Sequence, residues 1–242
     1  LRGNILASME SLNRQDRIIC VSQWAERAFL EVSGCKQPVC VCYNPLDSEK
    51  VLAGANEPIT EVLPEKYICA VGRLSKEKGF ARLIRIHKKL QDDGLEHGLV
   101  IVGDGPEKDH LKQLIAELGV RDSVILTGYR KNPYCYIAGS LFTVCSSFSE
   151  GLHMASMESL CLGVPVVAAY PTVAELFGNV CCGLITENDD NSLEAGVRKM
   201  LTDSQFYQQA KNGALERSRA FRAETMIKET EQIYDAVMEG RK

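Results

Sequence analysis

Residues 146–168 read as a strand end, a loop, a short helix, a sharp stop and the next strand. Residues 141–145 are apolar and rich in β-formers, as a buried strand is. Residues 146–151 are small, polar and breaker-rich, which makes a loop. Residues 152–162 hold no Gly or Pro and suit a helix of about three turns. Gly163 is suited to end that helix, Pro165 cannot continue it, and residues 166–169 read as another buried strand. A loop of this kind sits at the carboxyl end of a parallel strand and feeds a helix N-terminus. Open α/β sheets bind their ligands there, and the unsatisfied N–H groups of the helix attract anions such as phosphate.

Two carboxylates sharpen this reading. Glu150 lies in the loop and Glu158 in the helix, with seven residues between them. Carboxylates accept hydrogen bonds from sugar hydroxyls, and a helix N-terminus suits a diphosphate. One ligand carrying both groups fits the pattern. Spacing alone leaves a solvated loop Glu and a solvated helical Glu equally open.

The stretch resembles the E-x7-E segment of family 4 retaining glycosyltransferases, which have the GT-B fold. The segment runs Ser147-Phe148-Ser149-Glu150-Gly151, then Glu158-Ser159, then Gly163-Val164-Pro165-Val166-Val167. Leu152 stands in place of the usual aromatic residue and Ser159 in place of the usual Ala. A second segment agrees in register: Gly72-Arg73-Leu74-Ser75-Lys76-Glu77-Lys78-Gly79 is similar to the family's G-R-L-x-x-x-K-G. It follows a predicted strand at 67–71 and precedes a predicted helix at 80–91, a phosphate-binding layout that is not a P-loop. Gly103-Asp104-Gly105-Pro106-Glu107 fails as a dinucleotide fingerprint, because Lys108 stands where the third Gly belongs. The same G-D-G-P-E is common in family 4.

The 242 residues allow one large domain, or one domain with part of another. Hydrophobic residues make up 45% and charged residues 25%, the composition of a globular chain. A net charge of −4 argues against a nucleic-acid partner. No apolar run approaches the roughly 20 residues of a membrane span, and no signal peptide is visible. The ten cysteines include no C-x-x-C pair and no His at metal-finger spacing. Several fall in predicted strands, so they read as buried reduced thiols rather than disulfides or metal ligands.

In chain order, residues 1–13 read as a helix, 16–21 as a strand, 23–32 as a helix and 38–43 as a strand closed by Asn44-Pro45-Leu46-Asp47. The resemblance makes residues 1–47 the tail of an N-terminal acceptor domain, and with Leu1 first, the chain reads as a piece of a longer protein. Residues 48–65 are polar with Gly and Pro and read as a linker. Residues 66–222 form the donor-binding domain, and a final helix over 223–242 is expected to cross back to the first domain. Further strands are predicted at 99–103, 124–127 and 183–186, and helices at 107–118, 133–138, 172–177, 192–201 and 205–219. Asn191 or Ser192 caps the helix at 192–201. Asp189-Asp190 reads as solvated acidic surface. The expected fold is a Rossmann-like parallel sheet flanked by helices, the C-terminal half of GT-B.

The resemblance also implies site roles. Glu158 holds the ribose hydroxyls of a nucleotide-diphosphate sugar. Arg73, Lys78 and the backbone N–H groups near His153, Met154 and Ala155 hold the diphosphate, Gly72, Gly151 and Leu152 belong to the same donor site, and Leu152, Met154 and Tyr129 shape its pockets. Glu150 is the catalytic candidate and holds donor-sugar hydroxyls close to the anomeric carbon. Tyr129 and Arg130 lie near the base, and Glu175 is a secondary donor-site candidate. At His153 the backbone is expected to matter more than the imidazole. No cofactor and no metal is required, and a UDP-sugar is favoured over a GDP-sugar. The implied reaction is transfer of a hexose-type sugar with retention to a glycan or lipid-linked acceptor, bound through the absent part, and the chain alone is expected to transfer little. Membrane association would also run through the absent part, and the expected location is the cytoplasm or its membrane face. A nucleotide-sugar-binding subunit without catalysis, or another GT-B enzyme such as an epimerase, is the alternative.

Overall fold

The structure, a computed structural model, describes residues 11–12, 14–221 and 223–239. The helix expected over 1–13 lies outside them except at its end, where residues 11 and 12 are helical. The chain opens on a small parallel unit. Strand β1 (Ile18–Cys20) pairs with β2 (Val39–Val41), and α1 (Gln23–Ser33) connects them. Ser22 caps α1 by accepting from the Ala25 amide, and Gly34 ends it at φ 56°, a left-handed conformation that glycine adopts without cost.

Six further strands form one all-parallel sheet: β3 (Tyr67–Val71), β4 (Gly98–Val102), β5 (Val124–Gly128), β6 (Thr143–Cys145), β7 (Val166–Ala168) and β8 (Gly183–Ile185). Their order is β5-β4-β3-β6-β7-β8. The chain winds outward from β3 to β5, returns to lay β6 beside β3, and winds outward the other way. This is the doubly wound order, and its reversal lies between β3 and β6.

Alternation along the strands divides the core between two faces. Ile68 and Ala70 of β3 pack with Leu99 and Ile101 against α3 (Phe80–Asp92), α4 (Lys108–Glu117) and α8 (Asp190–Thr202). Tyr67 and Cys69 turn to the other face with Val100 and Val102, against α5 (Tyr134–Ala138). Further along that face, Cys145, Val166 and Ala168 pack on α6 (Met154–Cys161) and α7 (Thr172–Phe177). Helices α9 (Ser204–Arg217) and α10 (Ala223–Glu239) close the chain.

Two expectations change. The stretch read as a linker opens with a helix, α2 (Ser48–Gly54), capped by Asp47. Val51 is fully buried in the cluster that holds Leu152, Met157 and Leu160, so this segment is docked rather than loose. Helix α8 starts earlier than expected because Asp189 is the cap, accepting from the Ser192 amide at 2.9 Å. Asp189 is therefore a structural acceptor, whereas its neighbour Asp190 sits 3.9 Å from the Arg82 guanidinium. All ten cysteines are free thiols. No helix among the described residues is long and apolar enough to cross a membrane.

Candidate functional site

The loops leaving β3 and β6 meet at the switch point and are laced together. The Ser146 hydroxyl donates to the Lys78 carbonyl at 2.8 Å, and the Phe148 amide donates to the Glu77 carbonyl at 2.7 Å. Gly79 sits between them at φ 66°, and a Cβ there would lie 2.0 Å from the Ser146 carbonyl oxygen. Only glycine meets both demands. Arg82, buried on α3, ties down the second loop by donating to the Ser146 and Ser147 carbonyls and to Asn188. Its guanidinium also stacks over Phe148, 4.1 Å from the ring centre.

This lacing brings Lys78 and Glu150 together. The ammonium lies 2.6 Å from Glu150 Oε1, and the Ser147 hydroxyl donates to the same oxygen at 2.5 Å. His153 stands 3.9 Å from that oxygen and caps α6, accepting from the Ser156 amide through Nδ1. Burial pushes His153 down to about 4 against the opposing pull of Glu150, so its ring is neutral near pH 7. The amides of Ser156 and Met157 are bonded to His153. Those of Met154 and Ala155 find no acceptor among the described residues and remain available to an anion. Leu152 faces the core rather than the cleft. Met154 is half-buried, and the Asn44 amide donates to its sulfur at 3.7 Å.

Glu158 is half-buried on α6 and accepts no hydrogen bond from a described residue. Burial raises its carboxyl to about 7, opposed by Lys50 of α2. A half-buried carboxylate left without donors is an acceptor open to a ligand.

Beside this centre is a cavity of about 410 Å³ at the ends of β3, β4 and β5. Gly72, Arg73, Asp104, Tyr129 and Arg130 line it. Tyr129 is 73% exposed. Arg130 is held from behind: its guanidinium pairs with Glu61, and its Nε donates to the Tyr136 hydroxyl at 3.1 Å. A Cβ at Gly103 would meet the Gly72 carbonyl oxygen at 1.8 Å, so glycine lets the two turns close together.

The Glu175 carboxylate is engaged by the first unit of the chain. Its carboxylate accepts from the Gln23 and Trp24 amides, both at 2.8 Å, and from the Tyr43 hydroxyl at 3.1 Å. It caps α1 and joins the first unit to the sheet domain. Ser22 adds to that seam by donating to the Gly151 carbonyl at 2.7 Å. The roles of Arg82, Ser147, Ser22, Lys50 and Glu61 are not legible in the sequence. Ser147 does stand in the segment that carries Glu150, and Arg82 stands at the edge of the apolar stripe of a predicted helix, beside Ile86.

The fold and the crevice place the chain among doubly wound parallel α/β domains that take a ligand at the switch point. Residues 56–217 match the model of glycosyl transferases group 1, and the chain belongs to that family. It is 39% identical over 184 residues to the N-acetylgalactosamine-N,N'-diacetylbacillosaminyl-diphospho-undecaprenol 4-alpha-N-acetylgalactosaminyltransferase of Campylobacter jejuni, covering 75% of this chain and 49% of that protein. It is 34% identical over 168 residues to a lipopolysaccharide core biosynthesis glycosyltransferase of Rhizobium meliloti, covering 66% of this chain and 46% of that protein. The chain thus spans about half the length of these relatives. Among solved structures, the sucrose-phosphate synthase of Thermosynechococcus elongatus superposes with a TM-score of 0.82 at 20% identity, over 99% of this chain and 63% of that one. Anabaena HepE in complex with UDP superposes at 0.81 and 21% identity, over 97% of this chain and 68% of that one. Both share the GT-B fold.

Proposed function

We propose that this chain is the donor-binding part of a retaining glycosyltransferase that uses a nucleotide-diphosphate sugar, a UDP-sugar in preference to a GDP-sugar. The observation that carries the reading is Glu158, a half-buried carboxylate without donors among the described residues, on the helix whose N-terminus faces the Lys78–Glu150 pair. Ribose offers two adjacent hydroxyls to such an acceptor. The diphosphate then falls to Lys78, Arg73 and the Met154 and Ala155 amides. These groups stabilise the leaving diphosphate as the glycosidic bond breaks. Lys78 would turn from Glu150 to phosphate, which leaves Glu150 to take hydroxyls of the donor sugar near its anomeric carbon.

The base enters the cavity between Arg73 and Tyr129. The presence of UDP in the complex of Anabaena HepE supports a uridine donor. The acceptor is a glycan or a lipid-linked saccharide, as the name of the Campylobacter relative suggests. The β1–α1–β2 unit belongs to the acceptor side, and helix α10 crosses back to it. The contact of Thr230 with Cys42 across 3.4 Å supports that crossing.

A thermal-shift panel of UDP, GDP, ADP and TDP tests the reading. A nucleotide at about 100 times its dissociation constant adds about 2.7 kcal/mol of stability. The expected result is a shift with UDP that Glu158→Ala and Arg73→Ala both lose. Equal shifts in the wild type and both variants would sink the assignment.

A further inference from the structure

Glu150 is flanked by two other groups that bind soft cations. A carboxylate oxygen of Glu150, the Cys145 sulfur and a ring nitrogen of His153 all lie within 4.8 Å of one another. Cys145 and His153 are both buried. The position already holds a positive charge, the Lys78 ammonium 2.6 Å from Glu150. The Nε2 atom of His153 points to the same place, with Glu150 3.9 Å away, beyond hydrogen-bond distance. On the far side of the ring, Nδ1 lies 2.7 Å from the Ser156 hydroxyl. In the capping tautomer Nδ1 accepts from the Ser156 amide and Nε2 carries the proton. Moving that proton to Nδ1, which then donates to the Ser156 hydroxyl, gives up the cap bond and turns an Nε2 lone pair toward Glu150, the arrangement that orients metal-bound imidazoles.

We propose that Cys145, Glu150 and His153 form an inhibitory site for a soft divalent cation of the Zn²⁺ type, which displaces the Lys78 ammonium. The entering ion displaces the Cys145 proton, which burial otherwise keeps on the sulfur. Its thiolate, the Glu150 carboxylate and His153 Nε2 then bind the ion, and water completes a tetrahedron. Bond lengths of about 2.0–2.3 Å place tetrahedral ligands roughly 3.3–3.8 Å apart, so the side chains close by about 1–1.5 Å at most. Thiolate with imidazole favours Zn²⁺ or Cd²⁺ over Mg²⁺ or Ca²⁺. The bound ion removes Lys78 and Glu150 from the donor cleft. This inhibitory consequence rests on the donor-site reading, but the metal site itself does not.

The test is a Cd²⁺ titration of the whole chain, followed by the ultraviolet thiolate-to-metal absorption, with Mg²⁺ as control. Other cysteines respond as well, so the readout is the difference between the wild type and its variants. Cys145→Ser and His153→Gln should each weaken one thiolate-containing site by about tenfold or more, at least the cost of losing a ligand's supporting partner. Lys78→Met should tighten the same site, because no ammonium competes. Titrations of Cys145→Ser and His153→Gln that match the wild type would overturn the site. A Lys78→Met variant that binds no tighter would overturn the displacement. Neither readout involves nucleotide, so failure of UDP to bind leaves this result separate.

Discussion

Glu158 ties stability to function with opposite signs. Its carboxyl is raised from an ordinary 4.5 to about 7 by burial, so the folded chain holds a proton that the unfolded chain has released between those values. Stability therefore declines as pH rises from about 4.5 to 7, and the penalty is complete above 7. Glu158→Gln removes it, and denaturant melts at pH 8 should show the variant more stable by up to about 3 kcal/mol. The same variant should lose nucleotide affinity, and wild-type affinity should fall as pH drops below 7 and the acceptor is protonated. A variant both less stable and still able to bind would contradict this account. Lys78 behaves differently. Its removal leaves Glu150, whose side chain is 9% exposed, with Ser147 as its remaining close partner. Urea melts of Lys78→Met should show a loss of about 1.5–3 kcal/mol, the cost of a hydrogen bond to a charged group.

At the scale of elements, the loops matter as much as the helices they start. Gly79→Ala places a methyl group against the Ser146 carbonyl and forces a left-handed φ on a residue with a side chain. Thermal melts should show a loss of about 1–3 kcal/mol, with the β6 loop displaced. Glu175→Ala removes the acceptor for two α1 amides, and hydrogen exchange should show α1 opening more readily by about 1–2 kcal/mol, while α6 keeps its protection. The sequence displayed the strands, the helix-ending glycines and the Glu150–Glu158 spacing, because these depend on neighbours close in the chain. It could not display Glu175's task, since its partners Gln23, Trp24 and Tyr43 lie in another unit. It also hid α2, whose docking depends on Val51 meeting α6 rather than on local pattern. Helix α6 starts at Met154 because His153 is its cap, with an extended backbone at ψ 94° and a ring that accepts from the Ser156 amide.

For the whole molecule, the doubly wound order concentrates chemistry at one end of the sheet and leaves the other end structural. At the amino end, buried His87 and His97 share a 3.0 Å contact, and His87 meets the Ser123 hydroxyl at 2.9 Å. Burial, with His97 beside it, pushes His87 down to about 3. The folded chain keeps His87 neutral where the unfolded chain takes a proton, so this stability is full above 6.5 and is lost as pH falls toward 3. Glu158 works against this over much of the same range, so the readout is the difference: between pH 6.5 and 4 the melting temperature of His87→Gln should fall less, or rise more, than that of the wild type. An open groove of about 690 Å³, lined by Lys66, Gln91 and His97 among others, lies at this end and is larger than the cavity beside Arg73. The two ends give rival positions for a nucleotide, which makes a crystal structure with UDP the most direct measurement. The account predicts the ribose on Glu158, the diphosphate between Lys78, Arg73 and the first turn of α6, and the base beside Tyr129. UDP bound at the amino-end groove, or against α6 without touching Glu158, would contradict it.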